Sequence, residues 1–124
     1  MKAQRSTYLL IALLLAACSE EEPSEPLGRV AALQQDQAEL MRGEALFLGS
    51  CADYCHGMTE ESTDNDASFL FDCRWDHGDS DEDIVNVILQ GVPGTRMVAF
   101  GDNFPDPEDP WRIVAYLRAT AGPC

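Results

Sequence analysis

Basic residues are scarce in this sequence: 8 Lys and Arg stand against 22 Asp and Glu, a formal net charge of −14. A surface of that sign repels nucleic acid and anionic lipid heads. No basic patch interrupts it, so a nucleic-acid-binding role is excluded on electrostatic grounds. Neither a nucleophile elbow nor a glycine-rich phosphate loop occurs, which removes two common enzyme signatures. No segment reads as a convincing strand, and no internal repeat is present. Asp79, Asp81 and Asp83 alternate as in a calcium loop. Ile84 takes the place where such a loop needs glycine, so these residues read as solvated acid. Long apolar runs are missing too: Tyr8–Leu15 is too short to span a bilayer as a mature helix.

That short run fits export instead. Lys2 and Arg5 precede it and the small residues Ala16 and Ala17 follow, the layout of a cleaved secretory signal. Leu15-Ala16-Ala17-Cys18 resembles the lipobox of bacterial lipoproteins. The resemblance implies that residues 1–17 are a lipoprotein signal peptide and that the Cys18 sulfur carries lipid. It also implies a lipid-anchored protein on the periplasmic side of a bacterial membrane. Once Lys2 and Arg5 are removed, six basic residues face 22 acidic ones, a net charge of −16.

Residues 18–35 open with Ser19-Glu20-Glu21-Glu22-Pro23-Ser24-Glu25-Pro26, an acidic and proline-rich stretch that resists packing. They are expected to form a lipidated linker ahead of a folded domain over 36–124. Three helices are expected there. The first covers about Asp36 to Ser50, capped by Asp36 with Glu39 three residues on, and with Met41, Ala45 and Leu48 at helical spacing. The second covers about Asp81 to Gln90, with Ser80 and Asp83 as capping pair, Ile84, Val87 and Ile88 on one face, and Gly91 at the stop. The third covers about Pro110 to Ala121, capped by Asp109, with Ile113, Val114 and Leu117 as its apolar stripe and Gly122 ending it. The fold class is therefore all-α. Three short helices joined by long loops make a thin core, and a domain of this size often needs a disulfide, a metal or a cofactor to complete it.

Cys51-Ala52-Asp53-Tyr54-Cys55-His56 offers such a group. The usual haem c attachment is two cysteines separated by two residues and followed by histidine. Each thiol adds across a haem vinyl group, and the adjacent imidazole ligates iron. Here the gap holds three residues. Residues four apart still share one face of a helical turn. The longer gap leaves open a single thioether through Cys55, or a Cys51 that pairs with another cysteine. A disulfide pair or a zinc site are the alternatives to haem; zinc would need four ligands, and only Cys73, Cys124 and His77 remain to supply them.

Gly43-Glu44-Ala45-Leu46-Phe47 precedes the motif, and Trp111 to Arg118 lies near the chain end. With these segments the sequence resembles the class I monohaem cytochromes c over about residues 36–122. Gly43, Phe47 and Tyr116 match the positions where the two terminal helices of that family cross. In Gly91-Val92-Pro93-Gly94-Thr95-Arg96-Met97 the resemblance places the loop that delivers a methionine to the open face of the iron. Met97, 41 positions after His56, is the implied sixth ligand. Met58 and His77 are its rivals, Met58 too near His56 to reach the opposite face and His77 in an acidic loop. Arg74, Trp75 and Arg96 are candidate contacts for the haem propionates, since carboxylates favour guanidinium and indole donors. The segment Phe71–Gly78 also looks like one found in cytochromes associated with alcohol or quinoprotein dehydrogenases.

The resemblance implies a small cytochrome c fold, three main helices around one covalently bound haem c with its iron. With Cys18 on lipid and Cys51 and Cys55 on haem, Cys73 and Cys124 remain. An exported protein tends to pair such cysteines, and closing a loop of about 50 residues contributes roughly 4 kcal/mol; free or intermolecular thiols are the alternative. The expected function is one-electron transfer, not catalysis. The expected partners are redox proteins with basic docking patches, a periplasmic dehydrogenase upstream and another cytochrome or an oxidase downstream. A haem sensor or haem enzyme with a labile sixth ligand, and a non-haem lipoprotein stapled by disulfides, are the other two readings.

Overall fold

The computed structural model describes residues 27–124. The expected export signal, the expected lipidation site Cys18 and most of the expected linker lie outside the described residues. Four α-helices follow in order: α1 (Arg29–Leu33), α2 (Gln37–Phe47), α3 (Asp81–Gln90) and α4 (Asp109–Ala121). No strand occurs among the described residues, so the fold is all-α there, as expected. Among the described residues no helix is long and apolar enough to cross a membrane.

The local signals act as their chemistry dictates. The Asp36 carboxylate accepts a hydrogen bond from the Ala38 N–H at 2.8 Å and starts α2. Ser80 and Asp83 form a reciprocal capping box that starts α3. Gly91 (φ 69°) ends α3 and Gly122 (φ 76°) ends α4, each in the left-handed region where glycine avoids a Cβ clash. Two expected caps have other partners: Glu39 binds Arg112, and Asp109 is a helical residue whose carboxylate caps nothing. On α3 the buried apolar residues are Ile84, Val85 and Ile88, while Val87 is half-buried and faces a cavity.

α2 and α4 make the central crossing. A Cβ on Gly43 would land on the carbonyl of Arg112 and lie 3.2 Å from the Cβ of Tyr116. Only a residue without a side chain permits this approach. Phe47, fully buried, then stacks beside Tyr116 at 5.7 Å and meets the edge of Phe71 at 5.5 Å. Ile113, Val114 and Leu117 complete the core from α4.

The end of the expected linker belongs to the fold. Val30 on α1 is buried at 4% exposure, Gln34 donates to the Ala115 carbonyl at 3.2 Å, and the Arg29 guanidinium sits 4.3 Å above the Trp111 ring. The boundary at residue 36 is therefore corrected: the folded part reaches back at least to Arg29. Acidic and proline-rich composition marks only the residues before this segment, which docks through Val30, Leu33 and the contacts of Arg29 and Gln34.

A charge network ties α2 to α4 beneath the crossing. Asp109 is fully buried, and its oxygens accept from Arg42 Nε at 2.6 Å, Arg42 Nη2 at 2.8 Å and Arg112 Nη1 at 2.9 Å. The hydrogen bonds from Arg42, and then those from Arg112, hold the Asp109 carboxyl below the usual carboxylate range. Its folded pKa is depressed, so the stability it contributes is present above about pH 4 and is lost as pH falls through the folded value. Asp109→Ala removes the shared partner of half-exposed Arg42 and of Arg112, which keeps Glu39 and Asp106, and is expected to destabilise the fold by about 1–3 kcal/mol at neutral pH. Melting curves recorded from pH 7 to 2 should show a smaller acid-induced loss in this variant than in the wild type.

Candidate cofactor site

Beyond Phe47 the chain does not leave the helix but widens. Leu48–His56 forms a π-helical turn, and the Gly57 N–H donates to the Ala52 carbonyl five residues back at 3.2 Å. Such wide turns are uncommon and cluster at functional sites. This one carries Cys51, Cys55 and His56, and its extra residue per turn accommodates the three-residue gap between the thiols. Gly57 (φ 59°) ends the turn, where a Cβ would lie 2.5 Å from Ser62.

Cys51 and Cys55 are half-buried and not joined to each other. Burial, and then the neighbouring Cys55, pushes the Cys51 thiol up to about 11. Without a covalent partner it is therefore a protonated, apolar thiol at neutral pH. His56 is fixed by its ring: Nδ1 lies 2.7 Å from the Ser68 carbonyl oxygen. A carbonyl only accepts, so the proton sits on Nδ1 and the lone pair on Nε2. That is the arrangement of a metal-ligating histidine with an orienting outer partner.

These groups line a cavity of about 600 Å³, within the roughly 300–1,000 Å³ range of small-molecule sites. Its apolar walls come from all the long helices, with Leu46 on α2, Ile84 and Ile88 on α3, and Ile113 and Leu117 on α4. Met97 lies in the wall and is half-buried. Its loop is closed by two backbone-anchored contacts: Val92 N–H donates to the Met97 carbonyl at 2.8 Å, and the Met97 N–H donates to Thr95 Oγ1 at 3.1 Å. A Cβ on Gly91 would fall 2.5 Å from the Met97 carbonyl oxygen, so that glycine sets the loop's approach to α3. Of the rival ligands, Met58 is 41% exposed and takes no part in the cavity wall, while His77 is exposed at its rim.

The three candidate carboxylate contacts differ sharply. Arg74 binds Asp72, with a side chain 80% exposed. Arg96 donates to Asp66 at 2.7 Å and to Asp64 at 2.8 Å, and these partners, Asp66 first, raise its pKa. Trp75 Nε1, by contrast, is buried and has no hydrogen-bond partner in the protein. A buried indole N–H without an acceptor is costly, and the Trp75 side chain lines this cavity. An anionic oxygen in the cavity would satisfy it. Two thiols, an imidazole lone pair, a thioether, apolar walls and one unsatisfied donor together fit a haem with carboxylate substituents. The zinc alternative does not fit: among the described residues no group of three or more His, Cys, Asp or Glu could hold a metal ion alone.

Cys73 and Cys124 are joined by a disulfide, with Cα atoms 5.6 Å apart. It secures the chain end beside the segment that carries Trp75. Sequence reasoning missed the wide turn, the Ser68 carbonyl and the Asp64 and Asp66 partners of Arg96. The last two carried no signal in a chain so rich in acid.

One family model, described as cytochrome c oxidase, cbb3-type, subunit III, matches residues 38–117. No curated protein and no solved structure matches the chain. The matched span contains the crossing of α2 and α4, both motif thiols, His56 and Met97. The chain belongs to this cytochrome c family, whose domain carries electrons on a covalently bound haem c and is not in general an enzyme.

Proposed function

We propose that this protein is a membrane-tethered one-electron carrier with a single haem c, held through Cys51 and Cys55 and ligated by His56 and Met97. The observation that carries the reading is one cavity lined by both thiols, His56, Met97 and Trp75, whose buried N–H lacks a partner. Bound there, the haem iron supplies reversible exchange of one electron between ferrous and ferric states. The protein's own groups do the rest. Ser68 orients the His56 ring, the Gly91–Met97 loop brings a soft thioether into the cavity, and the walls from α2, α3 and α4 exclude water. Trp75 offers an N–H left without a partner, while Arg74 and Arg96 already hold carboxylates of the protein.

The surface supports a basic partner. All six arginines among the described residues are ion-paired, and these residues contain no lysine. Asp53, Glu61, Glu82 and Asp102 are among the carboxylates that form no ion pair. The field outside the protein is therefore negative and favours encounter with positive patches on a dehydrogenase or an oxidase component. Electron transfer to a basic partner is expected to slow as ionic strength rises from 0.01 to 0.5 M, because the Debye length shrinks from about 30 Å to a few Å. Stopped-flow rates that stay flat across that range would count against charge-steered docking.

In this reading residues 1–17 direct export, Cys18 carries lipid, and the acidic segment after it spaces the domain from the membrane on the periplasmic side. The test is spectroscopic. Matured by a haem-attachment machinery, the protein should show a c-type spectrum that survives denaturation, and an alkaline pyridine spectrum whose band position marks two thioethers. A shifted band would leave Cys55 as the single attachment. A colourless protein, prepared beside a coloured control cytochrome, would overturn the electron-transfer reading.

A further inference from the structure

Residues 63–68 reach both sides of the cavity. The Thr63 hydroxyl donates to the His56 carbonyl, and the Asp64 N–H donates to the Cys55 carbonyl at 2.8 Å. The Ser68 carbonyl accepts from the His56 ring at 2.7 Å. Between these contacts, Asp64 and Asp66 grip Arg96, the residue immediately before Met97. Arg96 Nε donates to Asp66 Oδ2 at 2.7 Å, and Nη2 donates to Asp64 Oδ2 at 2.8 Å and also to Asp66 Oδ1. One short segment thus holds the histidine from behind and the methionine loop from the side. No other ion pair among the described residues joins the Gly91–Met97 loop to the rest of the molecule.

We propose that Arg96, Asp64 and Asp66 form an electrostatic clamp that holds the Met97 loop closed and so sets how readily Met97 gives way to an external ligand. Arg96 is a positioning residue, acting through Met97. The inference rests on the reading of Met97 as iron ligand. The three side chains are 57%, 48% and 61% exposed. Each pair is therefore individually weak and open to screening by salt. Two such pairs on adjacent carboxylates shift the balance between closed and open loop by a modest factor rather than locking it. An exposed clamp of this kind makes the loop responsive to ionic strength, or to a partner whose charges compete for Arg96, Asp64 or Asp66.

The test is a spectrophotometric titration of the ferric holoprotein with imidazole, which competes with Met97 for the iron. Arg96→Gln and the double variant Asp64→Asn/Asp66→Asn are expected to bind imidazole about three- to tenfold more tightly than the wild type, the scale of two exposed ion pairs. Arg96→Lys should fall between, and 1 M NaCl should bring the wild type toward Arg96→Gln. Arg29→Gln, which breaks the distant Arg29–Glu108 pair, should lower the melting temperature without changing imidazole affinity. Unchanged affinity in Arg96→Gln, with Met97→Ala showing a large increase, would overturn the clamp and leave the ligand assignment standing. If Met97→Ala changes neither the spectrum nor the affinity, the clamp and the ligand assignment both fall. Should Arg96→Gln alone act and the aspartate variants not, Arg96 serves another group and the clamp is refuted.

Discussion

Met97→Ala is expected to abolish the methionine-to-iron band of the ferric protein and to lower its reduction potential by a substantial share of the roughly 0.8 V range that axial ligands command. A neutral, polarisable thioether stabilises ferrous iron relative to ferric, so removing it favours the oxidised state. The side chain is half-buried in the cavity wall, on a loop held by the Val92 and Thr95 hydrogen bonds and by Gly91 against α3. The vacated position would take water or an added ligand, so binding of imidazole should strengthen in parallel. Met58→Ala is the control. That residue is exposed and outside the cavity wall, and its loss should leave both band and potential unchanged. A normal band in Met97→Ala would move attention to His77, which stands at the cavity rim.

Gly43→Ala is expected to destabilise the fold markedly although it adds a single methyl group. The added methyl would land on the Arg112 carbonyl, a backbone group that cannot rotate aside, with Tyr116 Cβ 3.2 Å away. Overpacking of this kind costs about 1–3 kcal/mol and sometimes more. A whole domain of this size is stable by only about 5–15 kcal/mol. Relief requires α2 and α4 to separate, and α2 runs directly into the turn that carries Cys51, Cys55 and His56. Lower haem incorporation should therefore accompany a lower melting temperature. Gly49→Ala tests the argument from the same stretch of chain. Its Cβ meets nothing within 4 Å, so alanine there should be neutral or stabilising through its lower unfolded-state entropy. Equal melting temperatures for Gly43→Ala and the wild type would refute a crossing of α2 and α4 too close for a methyl group.

Much of the architecture is legible along the chain because helices are local objects. Asp36, Ser80 with Asp83, Gly91 and Gly122 act within four residues of themselves, and their spacing predicts where helices start and stop. The Cys51, Cys55 and His56 cluster points toward haem for the same reason, since one short stretch of backbone presents all three, although its three-residue gap left a disulfide or zinc site open. The resemblance at Gly43, Phe47 and Tyr116 locates the crossing, and the structure shows its cause in the absence of room for a single carbon. Asp109 is the instructive exception. Its position before Pro110 reads as a cap, yet its carboxylate is fully buried between two arginines, one of them on α2.

By itself, then, the sequence determined what depends on neighbours in the chain: an all-α domain, a thiol–thiol–histidine motif able to hold haem covalently, and a strongly acidic surface. Only the tertiary structure decided which polar groups meet. Composition cannot tell Arg74, Arg96 and Trp75 apart as partners for a carboxylate. Folding pairs Arg74 with Asp72 and Arg96 with Asp64 and Asp66, and leaves the Trp75 N–H buried and unsatisfied at the cavity. Likewise α1 is docked by Val30 against a helix some eighty residues away, and the wide turn emerges where α2 must continue while presenting two thiols four positions apart. Pairings of that kind depend on which distant segments the core brings together, and spacing along the chain contains no record of them.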